Sequence, residues 1–295
     1  MTARLLFALS SFVACGLAFA APDETAVPLA EIADGARAAL SSKESPAGSI
    51  LLISLETEDV VAAEKVVGSF DDKEIPFFAI GEKSFGAVFG VNHDLKPGDY
   101  QVEIRVGEAK GQLPLKVLDG GFKSENIKVN PKHVNPPKGQ LKRIKREQAE
   151  IGRIYRELTR EKHWAGAFKL PIESPVTSPF GTRRMYNGEQ RNYHPGMDLK
   201  AAVGTPIVAP AKGRVVLAKH LYFTGKTVGI DHGYGVITLY AHMSKIRVKE
   251  GEVVDTGKVL GLSGMTGRVS GPHLHWQAVI QGVKVNPLDL TKVMR

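Results

Sequence analysis

Cysteine is almost missing from this 295-residue chain, which carries one, Cys15. That scarcity excludes a disulfide framework and a cysteine-ligated zinc ribbon. Also missing is the H-E-x-x-H signature of helical metalloproteases, and no internal repeat is evident. An apolar stretch at Leu5 to Leu17 follows Arg4 and precedes Ala18-Phe19-Ala20, with small residues at the −3 and −1 positions of a cleavage site. These are the marks of a secretory signal over residues 1–20, too short and wrongly flanked for a membrane span. Phe12-Val-Ala-Cys15 is a poor lipobox, so Cys15 would leave with the signal. The mature chain would then hold no thiol, neither a cysteine nucleophile nor a cysteine zinc ligand. It suits an exported compartment, periplasmic or secreted.

A block of unbroken positive charge is lacking too. The formal charge is +8, but its main cluster, Lys142 to Lys162, is interleaved with Glu147, Glu150, Glu157 and Glu161. That is the pattern of a solvated helix face rather than a nucleic-acid footprint. A mildly basic surface would suit an acidic polymer such as a cell wall. With 43% hydrophobic and 24% charged residues, the chain is an ordinary globular protein long enough for two domains.

What is present is mainly β. Ser49 to Leu55, Pro76 to Ile80, Phe85 to Val91 and Tyr100 to Val106 read as strands, the last alternating apolar and polar residues. Short strands at this spacing predict a β-sandwich-like N-terminal module over residues 21–130. It contains no ligand-spaced His, Asp or Glu cluster, and reads as a structural or positioning module. Three prolines between Pro131 and Pro137 mark a linker. Leu141, Ile144, Ile151, Ile154, Tyr155 and Leu158 then recur at helical spacing, predicting a basic amphipathic helix of about five turns. Its glutamates argue against a membrane-surface role. Linker and helix together occupy 131–165.

From residue 166 to 295 the chain is again β-rich, with Gly or Pro punctuating almost every strand, and predicts an antiparallel sheet holding a groove. Here lie His194, Asp198, His242, His273 and His275. Residues two apart on a strand share a face, so His273 and His275 project together while Leu274 turns to the core. Pro195-Gly196 places His194 and Asp198 where a loop enters a strand, and His242 is expected at a strand edge after Tyr240. Neutral imidazole and carboxylate are ordinary Zn²⁺ ligands, and three of them leave a position for water. His93, His133 and His163 fall in turn, linker and helix-end contexts and are expected to be exposed. His220 and His232 share the domain of the constellation. Tyr193, Tyr222 and Tyr240 are expected either to line the groove or to pack.

Ser178-Pro-Phe-Gly-Thr-Arg-Arg184, His194-x-x-x-Asp198, the Thr205 to Gly213 run, Leu239-Tyr-Ala-His242 and Gly271-Pro-His-Leu-His275 follow one another in order. In this the chain resembles the lysostaphin-type, or LytM-like, zinc metallopeptidases that cut peptide cross-links in bacterial peptidoglycan, over roughly Pro171 to Leu290. The resemblance implies one Zn²⁺ held by His194, Asp198 and His275, with His242 and His273 as the further histidines of the site. It implies a peptidoglycan peptide stem as substrate, cut either at a Gly-Gly bridge or at a D-Ala–meso-diaminopimelate cross-link. The expected signal and thiol-free mature chain favour the latter, as the substrate of a periplasmic enzyme. His242 and His273 would divide acid–base work and oxyanion stabilisation between them, in an order left open. Some relatives have lost ligands and only activate other wall hydrolases; all five residues are present here. The Gly251 to Gly261 hairpin is similar to biotinyl or lipoyl carriers, but lacks their modifiable lysine turn.

Overall fold

The computed structural model describes residues 29–33, 35–127, 136–186 and 189–294. The expected signal, Cys15, His133 and residues 131–135 of the expected linker lie outside them. The fold is mainly β, as expected. Among the described residues no helix is long and apolar enough to cross a membrane.

The N-terminal region forms one nine-stranded sheet rather than two separate ones. The strand Lys73–Ala79 is the hinge between its halves. Residues 73–76 pair with Val67 to Phe70, whereas Phe77, Phe78 and Ala79 pair with Ala87, Gly86 and Phe85. The sheet folds over there and encloses Ile53, Leu55, Ile75, Phe77, Phe85 and Phe89. Fully burying each such side chain contributes about 1.5–3 kcal/mol. The fold nearly closes on itself: a Cβ at Gly111 would lie 2.0 Å from the Ile32 carbonyl oxygen, so glycine is required where the first strand crosses Ala109–Leu118.

The second large sheet has eight strands. Along its main path the order is Val176–Ser178, Met197–Lys200, His273–Ile280, Val236–Met243, Gly225–Asp231, Gly213–Leu221, Val253–Val254, with Val283–Val285 beside His273–Ile280. One face buries Leu199, Tyr240, Leu274, Trp276 and Ala278 in the main core. Phe78 and Val88 of the N-terminal sheet join that same core beside Val283, Val285 and Leu290. Asn286 donates its backbone N–H to the Gly48 carbonyl at 2.8 Å across the junction. The two sheets therefore share a hydrophobic seam.

The helix spans Leu141–Arg156 and stops short of Leu158, the last member of its apolar stripe, because the backbone is already extended at Glu157. Ile151, Ile154 and Tyr155 pack on Leu217, Leu221, Ile237, Leu239 and Val279. Register puts Ile237, Leu239 and Ala241 opposite Val279, Gln277 and His275, so this is the face that carries the histidines. The helix covers half of that face. The other half is left as a cleft. A short helix, Leu288–Val293, closes the described chain; the sequence reading did not anticipate it.

Candidate metal centre

Asp198 and His275 are directly opposite one another in the antiparallel pair Met197–Lys200 and His273–Ile280. Directly opposed residues share a sheet face, so the pairing alone brings carboxylate and imidazole together. His275 Nδ1 lies 2.9 Å from Asp198 Oδ1. His194 enters from the loop before the first of these strands. Its Nε2 is 3.0 Å from Asp198 Oδ1 and 2.9 Å from His275 Nδ1. All three residues are buried.

The Ser178 to Arg184 stretch explains how His194 is held. His194 donates its backbone N–H to the Thr182 carbonyl, and its own carbonyl accepts from Gly181, both at 2.8 Å. Its ring Nδ1 lies 3.0 Å from the Pro179 carbonyl, which can only accept. Nδ1 therefore carries the ring proton, and Nε2 turns a lone pair toward Asp198 and His275. Burial pulls the His194 pKa down to about 4, against the opposing pull of Asp198, so the ring is neutral at pH 7. Burial alone would raise the Asp198 pKa, but its close contacts with the His194 and His275 rings outweigh it and hold the carboxyl well below the carboxylate range. A lone pair on His194, a carboxylate oxygen and His275 Nδ1 thus converge within 4.8 Å of one another. One shared proton cannot satisfy this set, and a cation can. A neutral-imidazole, carboxylate donor set is the chemistry of a Zn²⁺ site with an open position.

Gly196 is obligatory beside it. A Cβ there would meet the Trp276 carbonyl oxygen at 2.4 Å and the His275 ring at 2.9 Å.

His242 reaches the site by a route the sequence did not disclose. It lies inside the strand Val236–Met243, not beyond a strand ending at Tyr240. Ala241 sits opposite His275, so regular alternation would turn His242 to the far face. The pairing with Gly225–Asp231 jumps from Val228↔Tyr240 to Lys226↔Met243, which sets Ala241 and His242 against Thr227 alone. This is a β-bulge, and His242 takes the left-handed backbone with φ 62°. The extra residue returns its ring to the histidine face, 4.9 Å from the His273 ring and 5.9 Å from that of His275.

His242 Nδ1 lies 2.8 Å from the Thr266 carbonyl, and His273 Nδ1 lies 2.9 Å from the Gly271 carbonyl. Both rings are therefore protonated at Nδ1 and carry an open lone pair at Nε2. Burial, reinforced by His275 and His273, lowers the His242 pKa to about 3. Burial also lowers that of His273, against the pull of Asp198. His273 Nε2 is 3.6 Å from Asp198 Oδ1. The five residues line one cleft of about 570 Å³ together with Tyr193, except His194, which lies beneath its floor.

For two tyrosines the structure selects packing, and for His93 and His163 it corrects the expected exposure. Tyr240 does not line the groove: it is fully buried on the opposite face, its hydroxyl 2.8 Å from Thr238 Oγ1. Tyr222 is also outside the cleft, held by its backbone N–H to Glu147 Oε2 at 2.7 Å. His93 is not simply exposed. Its ring stacks on Tyr193 with centroids 3.4 Å apart, because a turn of the N-terminal region folds against the cleft rim. The His163 side chain is only 7% exposed, tucked at the helix-end connection. His232 is a core histidine, bonded at Nδ1 to the Lys212 carbonyl and at Nε2 to Thr238. His220 is exposed and away from the site.

Sequence reasoning also missed a supporting set. Arg184 Nη2 donates to Asp198 Oδ2 at 2.7 Å, and Arg184 Nε donates to Glu125 Oε1 at 2.8 Å. Arg184 stood in a noted motif without a role, while Glu125 carried no local signal at all.

The fold and the site define a β-sheet protein with a metallopeptidase-like donor set. Residues 192–287 match the model of Peptidase family M23. A crystal structure from Pseudomonas aeruginosa assigned to peptidase M23 matches with a TM-score of 0.64 and 30% identity, over 83% of this chain and 94% of that one. The chain belongs to peptidase family M23. Peptidoglycan DD-endopeptidase ShyA of Vibrio cholerae is 39% identical over 123 residues, 41% of this chain and 29% of that protein. DD-carboxypeptidase/endopeptidase Mpg of Neisseria meningitidis is 39% identical over 127 residues, 42% and 29% respectively. The chain thus spans under a third of the length of these two curated relatives.

Proposed function

We propose that the protein is a zinc-dependent endopeptidase of bacterial peptidoglycan, with His194, Asp198 and His275 holding one Zn²⁺. The observation that carries this reading is the convergence of the three donor atoms, with His194 turned inward by the Pro179 carbonyl and Asp198 held by Arg184. The substrate class follows the relatives, named as peptidoglycan DD-endopeptidase and DD-carboxypeptidase/endopeptidase. The preferred bond is the D-Ala–meso-diaminopimelate cross-link. Such a substrate lies outside the cytoplasmic membrane, which agrees with an exported protein. Domain limits near residues 130 and 165 divide it into a positioning module, a connecting helix and a peptidase domain.

Zinc bound there supplies Lewis-acid polarisation of the scissile carbonyl and a water of lowered pKa. The protein's own contribution lies in the two further histidines. Each donates Nδ1–H to a backbone carbonyl, Thr266 for His242 and Gly271 for His273, which fixes its tautomer and aims a basic Nε2 into the cleft. One Nε2 accepts the proton of the attacking water. The other ring serves the oxyanion or the leaving amine, two jobs open to either histidine. Arg184 keeps Oδ2 of Asp198 engaged, leaving Oδ1 for the metal.

The test is hydrolysis of purified diaminopimelate-type peptidoglycan, with zinc content assayed beside it and His194→Ala as control. Cross-linked fragments converted to monomers, with one zinc per chain, support the reading, and mass identifies the bond. A wild-type protein that binds no zinc overturns it in favour of a wall-binding activator.

A further inference from the structure

The segment that leaves the N-terminal sheet does not simply lead away. Its strand Ser124–Ile127 pairs parallel with Arg183–Tyr186, placing Glu125 opposite Arg184. Glu125 Oε1 accepts from Arg184 Nε at 2.8 Å and from Ser178 Oγ at 3.1 Å. Arg184 Nη2 in turn donates to Asp198 Oδ2 at 2.7 Å and to Ser178 Oγ at 3.1 Å. Ser178 Oγ lies 3.3 Å from His194 Nδ1. A single carboxylate from outside the family-matched residues 192–287 therefore reaches two of the three ligand residues through one guanidinium and one hydroxyl.

The charges make the position matter. Arg184 is a permanent cation whose side chain is only 15% exposed, and it touches a carboxylate needed for a dication. Left alone it would draw Asp198 away from the metal and repel the metal itself. Glu125 neutralises it and, by holding Nε, fixes the guanidinium plane so that one Nη meets Oδ2. Partners behind a ligand commonly tune metal affinity by about 10–100-fold.

On this basis we propose that Glu125 is a positioning residue for zinc, acting through Arg184, so that the N-terminal region completes the metal site. The inference rests on the zinc reading above. A lysine at 184 would keep the charge but could not bridge Glu125, Ser178 and Asp198 from fixed directions.

The experiment measures zinc dissociation constants by chelator competition at pH 7.5 for the full chain and for Glu125→Gln, Glu125→Asp, Arg184→Lys and Glu125→Gln/Arg184→Lys. Thermal unfolding of each metal-free protein is followed in parallel. Glu125→Gln and Arg184→Lys are expected to bind zinc about 10–100-fold more weakly. Glu125→Asp should recover part of that loss, and the double variant should fall short of the product of the single effects. Unfolding of the metal-free proteins should stay close to wild type, which a merely structural role would not allow. Wild-type zinc affinity in Glu125→Gln overturns this inference and leaves the zinc reading intact. A wild-type chain that takes up no zinc overturns the zinc reading instead.

Discussion

The two large sheets are built alike and spend their interiors differently. The N-terminal sheet encloses an apolar core of Phe, Ile, Leu and Val, with Ser45 and Thr57 its buried polar residues among those described. The second sheet buries His194, Asp198, Thr227, His232, Thr238, His242, His275 and Gln277. Burying a polar group costs free energy unless it is partnered, and a charge costs more. Each of these groups has a partner: those of six are given above, Thr227 donates to Thr224 Oγ1, and Gln277 donates to the Tyr155 hydroxyl. A sheet that tolerates such burial does so where the polar groups have work to do. The N-terminal sheet is nearly closed and apolar, and its region reaches the cleft where His93 stacks on Tyr193 and where the chain leaves as Ser124–Ile127.

The comparison breaks most sharply under truncation of the two acid–base candidates. His242→Ala and His273→Ala should each lose about 10²–10⁴ in kcat while keeping one zinc per chain. Turnover per bound zinc, measured on diaminopimelate-type peptidoglycan, checks both numbers together. A metal-replete His242→Ala protein with normal turnover would remove the bulge from the mechanism. In the other sheet, Phe77→Ala should destabilise the protein by about 3–5 kcal/mol, since its ring is 1% exposed in a closed core. Urea unfolding reads that loss. Turnover per zinc of the folded fraction should stay at the wild-type value, because Phe77 touches nothing near the cleft.

Two buried histidines sharpen the contrast within the second sheet. His232 and His242 both have strongly lowered pKa values, about 4 and about 3, and burial is the main cause in each. Their surroundings differ: both ring nitrogens of His232 are occupied, by the Lys212 carbonyl and Thr238, whereas His242 keeps Nε2 open to the cleft. His232 is thus a structural group with a pH signature. Its folded pKa lies below the value of about 6.5 expected for the unfolded chain, so the unfolded state binds the extra proton. The contribution is present above pH 6.5 and is lost as pH falls toward 4. At about 1.4 kcal/mol per pH unit, the loss approaches about 3 kcal/mol. Unfolding free energies at pH 7.5, 6, 5 and 4.5 should therefore fall less steeply in His232→Gln than in wild type. Equal slopes would show that His232 is not held neutral.

Much of the site was legible because strand geometry has a period of two. His-x-His on one strand must share a face, and Pro-Gly before Asp198 must turn the chain. The strand Gly98–Val106 declared itself by the same alternation. Legibility failed wherever regular periodicity was interrupted or the partner was distant in sequence. His242 was assigned to an edge because a bulge adds a residue that no composition reveals. Tyr240 was offered to the groove as an alternative, although register opposite Trp276 commits it to the core. His93 looked exposed in its turn, yet stacks on Tyr193, a hundred residues away. Glu125 was one acidic residue among many until a parallel pairing set it beside Arg184.

The smallest expected effect tests how tightly the second sheet is fitted around its ligands. Gly196 has no room for a methyl group: the nearest atoms to a Cβ would be the Trp276 carbonyl oxygen at 2.4 Å, then the His275 ring at 2.9 Å. The first is backbone in the middle of the sheet and cannot move without breaking its pairing; the second is a candidate ligand. Gly196→Ala should therefore cost about 1–3 kcal/mol as overpacking. The strain is relieved most cheaply by turning the His275 ring, so zinc affinity should fall along with stability. Gly139→Ala is the matched control, since a Cβ there meets nothing within 4 Å. It should leave zinc affinity unchanged. If Gly196→Ala lowers stability while zinc affinity holds, the backbone has yielded instead of the imidazole, and the sheet is softer around the site than its close contacts imply.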